Sequence, residues 1–281
     1  MPRTYTKEEL ERLHLCLKDI LREIIRVCDD IGVKYFMVGG SVIGCHFWND
    51  IIPFDDDIDI GMKRDDYERF LREAPSRLSD KYFLQWYGTE PHTPFYFAKV
   101  RLDGTLFVEE TTRNIPMHQG IYVDILPFDS IPDDPKKRRR QRKLANIINS
   151  CFISKDVWLY AHCGRCEVEK PSEHTFLNCI FDRIVVSLVP KRVLYRLLQK
   201  VMTWYNGTST KQSSVVPAGV DDVRTECLNR LEPAKFGSLD VFVPGDYEEY
   251  LHHHYPKLRK HLTPEEIAKY SHRPVKLAFE A

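Results

Sequence analysis

Apolar residues near the start of the chain recur at helical spacing. Leu10, Leu13, Leu17, Ile20, Leu21, Ile24 and Val27 fall on one face, predicting an amphipathic helix over Thr6 to Asp30. Thr6 with Glu9 three residues on forms a capping box, and Gly32 supplies the stop. The period then changes. Tyr35 to Val38 is a short apolar run entering Gly39-Gly40-Ser41, and Ser41 opens a helix through Trp48. Beyond Pro53, Asp55, Asp57 and Asp59 alternate so as to share one face of an extended strand, while Ile58 and Ile60 point the other way. A helix follows over Arg64 to Leu78, then strands at Tyr82 to Tyr87, Tyr96 to Leu102 and Ile121 to Phe128.

After Pro132 to Pro135 the pattern turns mainly helical. One helix runs from Lys136 to about Asn149, and two more, Phe176 to Val189 and Lys191 to Tyr205, are parted by Pro190. Asn206 to Val216, rich in Ser, Thr and Gly, reads as a surface loop. Strand character returns at Val241 to Val243, followed by a short helix to Tyr255 and a helix start at Thr263. The fold class is therefore α/β (α+β), a mixed sheet flanked by helices. It divides into a core over residues 1–132, a mainly helical insertion over 133–230 and a return to the core over 231–281.

The chemistry gathers between Gly39 and Met62. A strand, a Gly39-Gly40-Ser41 turn and a helix start together present backbone amides and a hydroxyl to an anion. Crowded carboxylates repel one another unless a hard divalent cation neutralises them, most plausibly Mg2+, with Mn2+ as an alternative. A phosphate cradle beside a metal-binding carboxylate set is what in-line phosphoryl transfer requires. Two plainer readings compete. An EF-type calcium loop beginning at Asp55 would need Gly at its sixth position and Glu at its twelfth, where Ile60 and Asp66 stand. A solvated acidic loop would not interleave Ile58 and Ile60.

Three further features bear on the site. Lys99 and Arg101 share one face of their strand, either to meet donor phosphates or as a solvated sheet face. Asp124 lies among apolar neighbours, where an isolated carboxylate is costly, and is the candidate third metal ligand and proton acceptor. An Asp capping a neighbouring backbone turn is the structural alternative. Lys136 to Lys143 holds seven cations in eight residues, a solvated helix face or a contact for an anionic lipid or polyanionic acceptor. Cys163 and Cys166 form a CxxC beside His162, with Cys151, His174 and Cys179 nearby, so either a structural zinc site or unrelated thiols is open.

Composition narrows the setting. Forty-one basic residues balance forty-one acidic ones, so no global field draws nucleic acid or a membrane. No stretch stays apolar for the roughly 18 residues of a membrane span, and the N-terminus has no apolar core of a signal peptide. A cytoplasmic protein with reduced cysteines is expected, with a peripheral contact at the inner face of the membrane through Lys136 to Lys143 as a further expectation.

The stretch GGS, IG and IPFDDDIDIGM followed by RDDYERF resembles the LicD family of phosphotransferases, which includes bacterial phosphocholine transferases and, more distantly, the fukutin group of ribitol-phosphate transferases. The resemblance resumes at Ile121 to Asp133 and at Phe236 to Leu251. It implies a nucleotidyltransferase-like core and a CDP-activated donor, with a substituted phosphate, phosphocholine first, moving to a sugar hydroxyl of a glycan or lipid-linked glycan as CMP leaves. On that reading Asp57, Asp59 and Asp124 are catalytic metal ligands, while Gly39, Gly40, Ser41, Asp55, Lys99 and Arg101 bind substrate. The alternatives are ribitol- or glycerol-phosphate transfer, a nucleotidyltransferase releasing pyrophosphate, or an inactive nucleotide-binding scaffold. Two positions depart from the family pattern: Phe47 stands where an Arg is usual, and Pro256-Lys257 where Gly-Asp is usual.

Overall fold

The computed structural model describes residues 5–161, 188–217, 220–260 and 274–280. Its first helix, α1 (Lys7–Ile31), begins at the expected capping box, with the Glu9 amide donating to Thr6 Oγ1 and the Thr6 amide to Glu9 Oε2. It stops at Gly32, whose φ of 65° is a left-handed cap. Leu13, Leu17, Ile20, Leu21, Ile24 and Val27 are buried on the face the sequence predicts.

Next come β1 (Phe36–Met37), α2 (Gly39–Trp48), β2 (Asp59–Lys63), α3 (Arg64–Glu73), β3 (Tyr82–Gln85), β4 (Ala98–Leu102), β5 (Leu106–Val108) and β6 (Tyr122–Ile131). They are followed by α4 (Pro135–Ala161), α5 (Lys191–Met202), β7 (Gln212–Val215), β8 (Val220–Arg224), α6 (Thr225–Asn229), β9 (Glu232–Phe236), β10 (Leu239–Val243), α7 (Tyr247–His254) and β11 (Lys276–Ala278). The main sheet has the order β1-β2-β6-β4-β3, and β7 and β8 extend it from the far end of β6. Only β2 and β6 run parallel, so the sheet is mixed. Helix α1 packs against β4 and β6. Ile58, Ile60, Ala98, Val100, Val123 and Ile125, alternating along their strands with polar residues, are all fully buried. At about 1.5–3 kcal/mol for each large apolar side chain, this layer fixes the register of the three central strands.

That register places functional candidates side by side. Asp59 is opposite Asp124, Asp124 is opposite Lys99, and Lys99 is opposite Gln85. Four polar residues thus form one row across β2, β6, β4 and β3.

The structure corrects two element boundaries. Regular strand begins only at Asp59, because Pro53 and a turn bonding the Asp55 amide to the Ile52 carbonyl hold the preceding residues off the ladder. The stretch read as a loop from Asn206 to Val216 contains β7, which pairs with Asp129 to Ile131. Ser213 and Ser214 are buried there, so backbone pairing with an open strand edge outweighs the weak strand preference of serine.

A buried ion pair ties α3 to the far end of β6. Arg64 donates through Nε and NH2 to both carboxylate oxygens of Asp129, and NH1 reaches Gln199 Oε1 at 2.9 Å. Asn206, just past α5, adds a 2.7 Å bond to the same carboxylate. Asp129 is therefore committed to this joint.

Candidate active site

Burial keeps its alternation through the acidic segment even before regular strand begins. Asp56, Ile58 and Ile60 are buried, while Asp55, Asp57 and Asp59 are half-buried and line one cleft of about 460 Å3. Asp56 is 2% exposed and accepts a 2.6 Å hydrogen bond from Tyr5 Oη. Carboxylate oxygens of Asp55, Asp56 and Asp57 lie within 4.8 Å of one another. Burial, then the charges of Asp56 and Asp59, push the Asp55 carboxyl up to about 7, against hydrogen bonds from Asp57 and the Asp56 amide. A carboxyl that burial and neighbouring carboxylates hold near neutrality marks where positive charge is most needed.

The Gly39-Gly40-Ser41 turn sits on these carboxylates. Gly39 has a φ of 56°, a conformation that side chains with a Cβ resist. A Cβ on Gly40 would stand 2.8 Å from Asp55 Oδ2, so glycine is what lets backbone and carboxylate approach. The Asp59 amide donates to Ser41 Oγ at 3.0 Å, and the Val38 amide to the Asp59 carbonyl at 3.2 Å, which zips the turn to β2. Two of the turn's amides serve the protein itself: Ser41 N–H reaches the Val38 carbonyl, and Gly39 N–H reaches Tyr250 Oη at 2.9 Å.

On β6, Asp124 Oδ1 accepts from Lys99 Nζ at 2.6 Å. Lys99 is almost fully buried, with its ammonium 3.5 Å from the Tyr122 ring centroid and 4.3 Å from that of Phe95. An ammonium enclosed this way needs an anion, and Asp124 supplies it. Arg101 lies one row further along β4. It is also buried and donates to Gln85 Oε1 and the Gly120 carbonyl, both at 2.6 Å. The structure thus brings Gly40, Asp55, Asp57 and Asp59 to one cleft, with Gly39 and Ser41 buried against Asp59 beneath it. Asp124 and Lys99 occupy the strand row beside Asp59, and Arg101 stands behind them.

Several contributors were not singled out from the sequence. Tyr250 of α7 donates its hydroxyl to Asp221 while accepting the Gly39 amide. Burial, then the Asp221 charge, holds its phenol well above the ordinary range. Burial likewise raises the Asp221 carboxyl. Tyr250 falls in the Phe236 to Leu251 block that drew notice, but a bond spanning 211 residues leaves no local signal. Trp48, Phe54 and Tyr255 form an aromatic wall of the cleft, joined by Lys257 and Arg259. Trp48 and Phe54 meet edge to face at 6.5 Å, and Lys260 Nζ stands 5.6 Å over the Trp48 ring. Lys235 is paired with Asp240 on the exposed β9–β10 hairpin.

The cation cluster divides in two. Arg138 and Arg142 are partly buried and face Asp222, whereas Lys136, Lys137, Arg139, Arg140 and Lys143 are exposed. Cys163 and Cys166 lie outside the described residues, as do His162, His174 and Cys179; Cys151 is buried on α4.

Comparison with known proteins agrees with the resemblance seen in the sequence. Residues 32–143 match the LicD family, described as LicD/FKTN/FKRP, nucleotidyltransferase domain. That span runs from the end of α1 into α4 and carries the glycine turn, the acidic segment, Lys99 and Asp124. The chain is 28% identical to the lipopolysaccharide cholinephosphotransferase LicD of Haemophilus influenzae over 274 residues, 93% of this chain and 95% of that protein. It is 38% identical to the ribitol 5-phosphate transferase FKRP of Mus musculus over 116 residues, 40% of this chain and 20% of that one. A 50-residue match to the Homo sapiens FKRP, also at 38%, covers 18% of this chain and 10% of the relative.

Proposed function

We propose that this chain, which carries a LicD nucleotidyltransferase domain, is a metal-dependent phosphotransferase that moves phosphocholine from CDP-choline to a sugar hydroxyl of a glycan, releasing CMP. The observation that carries the reading is the cleft itself, where Asp55, Asp57 and Asp59 meet the Gly39 to Ser41 turn beside the Asp59–Asp124–Lys99 row. The full-length similarity to a cholinephosphotransferase supports the reaction class.

Asp57, Asp59 and Asp124 would hold the metal, with Asp55 adjoining. The donor set is all carboxylate oxygen, which suits Mg2+ or Mn2+ rather than a soft ion. The proton that Asp55 retains is what a cation would displace. When bound, the ion supplies charge neutralisation for the donor pyrophosphate. The chain's own groups do the rest. The Gly40 amide at the start of α2 orients donor phosphate, and Gly39 and Ser41 hold that start in place. Lys99 holds the Asp124 carboxylate in place through its 2.6 Å bond, and Asp124 takes the proton of the attacking sugar hydroxyl. The hydroxyl oxygen bonds to the distal phosphorus, the bond from that phosphorus to the bridging oxygen breaks, and CMP departs with the electron pair. Buried Arg101, bonded to Gln85 and Gly120, sets the positive field behind Lys99.

The aromatic wall favours choline over ribitol. Trp48, Phe54 and Tyr255 beside Asp55 suit a trimethylammonium group, and Lys260 over Trp48 already shows that ring facing an ammonium. Offering CDP-choline, CDP-ribitol and CDP-glycerol with candidate glycans, and following CMP, tests the assignment. CMP release is expected with CDP-choline first. Pyrophosphate released from a nucleoside triphosphate would replace the reading with a nucleotidyltransferase proper, and absence of turnover with every donor would leave a nucleotide-binding scaffold.

A further inference from the structure

Large apolar side chains are unevenly exposed on this protein. Of the eight that are exposed among the described residues, five lie between Ile147 and Trp204: Ile147, Leu188, Val193, Leu197 and Trp204. Three of these fall together on α5 and the turn after it. At about 100° per residue, Val193, Leu197 and Trp204 cover a narrow stripe of the helix. Arg192, Arg196 and Lys200, all exposed, form a second stripe beside it. The buried face, Leu194, Leu198, Val201 and Met202, is separate, and Gln141 of α4 bonds the Val201 carbonyl from that side.

Charge along this helix pair has one sign. The chain as a whole is neutral, yet α5 contains no acidic residue, and residues 135–155 of α4 contain none either. The first carboxylate of α4, Asp156, is buried against Lys191 and His92. Apolar residues alone would suit many partners. Apolar residues bordered on their own helix pair by cations suit an apolar layer with anions at its rim, and they disfavour a second copy of the same face through like-charge repulsion.

We propose that the outer face of α5 docks on an anionic phospholipid surface, with Val193, Leu197 and Trp204 entering the headgroup region and Arg192, Arg196 and Lys200 meeting lipid phosphates. The exposed cations of α4 add long-range attraction to the same surface class. No described helix is long and apolar enough to cross a membrane, so the contact is one of lying on the surface. The inference stands on α5 alone and does not depend on the reaction assigned to the cleft.

Sedimentation of the full chain with vesicles tests it. Binding is expected to vesicles of mixed phosphatidylglycerol and phosphatidylcholine, to be far weaker with phosphatidylcholine alone, and to fall as salt rises. Val193→Glu with Leu197→Glu should weaken binding at least tenfold, and so should Arg192→Ser with Arg196→Ser and Lys200→Ser. Both variants should keep the parent's thermal midpoint. Three results would overturn the proposal: no binding by the parent to either vesicle, undiminished binding by the glutamate variant, or a marked fall in that variant's midpoint. The second would mean docking of a polyanion by cations alone, and the third a face that the chain itself covers.

Discussion

Asp57 and Asp59 carry the proposed reaction at the scale of single residues. Both half-buried carboxylates open on the cleft, and Asp59 also sits in register with Asp124. Asp57→Asn or Asp59→Asn is expected to lower turnover by at least about 100-fold, the range seen when one preorganised electrostatic group is removed, while circular dichroism and thermal midpoint stay near the parent's. Asp55 has a separate signature. Its carboxyl, pushed up to about 7, binds a proton more tightly folded than unfolded. Metal-free stability should therefore be fully present below about pH 4, the ordinary carboxylate range, and be lost as pH rises through about 7. Asp55→Asn should remove that decline and raise the metal-free midpoint at pH 8, as measured by thermal unfolding with chelator at pH 5 and pH 8. An identical pH slope in parent and variant would refute the burial argument. The alternation of Asp55, Asp57 and Asp59 was legible in the sequence because a period of two survives even where the ladder does not. The burial of Arg101 was not, since strand alternation says which residues share a face and not what covers that face.

Elements far apart in sequence complete the site. The amide of Gly39, at the start of α2, is held by Tyr250 of α7, which in turn donates to Asp221 of β8. Tyr250→Phe removes one acceptor and one donor from a buried network, so it should cost about 1–3 kcal/mol of stability. It should also raise the donor KM more than it lowers kcat, because the turn it braces is the one proposed to hold donor phosphate. A stability loss with unchanged donor KM would restrict Tyr250 to a structural role. Helix α1, with its capping box and glycine stop, was readable almost to the residue because its signals are local. Strand β7 was not: its serines carry little strand preference, and only the open edge of β6 makes them a strand. The Phe236 to Leu251 block stood out in sequence, but its service to Gly39 is a tertiary fact.

At the scale of the whole molecule, one joint between the helical segment after β6 and the sheet is a buried ion pair with its satellites. Arg64 and Asp129 bond bidentately, and Gln199 and Asn206 bring α5 and its following turn to the same point. Removing one partner leaves a buried charge, so Arg64→Ala should cost about 3–5 kcal/mol in unfolding free energy, read by denaturant titration. A loss below about 1 kcal/mol would mean that the pair is solvated in solution. The mixed α/β class followed from alternating periodicities, and the sheet order followed only from pairing. The row Asp59–Asp124–Lys99 shows why both matter: each residue is plausible alone, and their register makes them one site.

The central claim is that this carboxylate cleft transfers a substituted phosphate from a CDP donor with the help of a divalent cation. Its most direct test is CMP release from CDP-choline by the purified full chain with a glycan acceptor, measured with Mg2+, with chelator, and for Asp57→Asn. The account predicts acceptor-dependent CMP release that chelator abolishes, Mg2+ restores, and Asp57→Asn lacks. Equal CMP release with and without chelator, or from Asp57→Asn at the parent's rate, would contradict it.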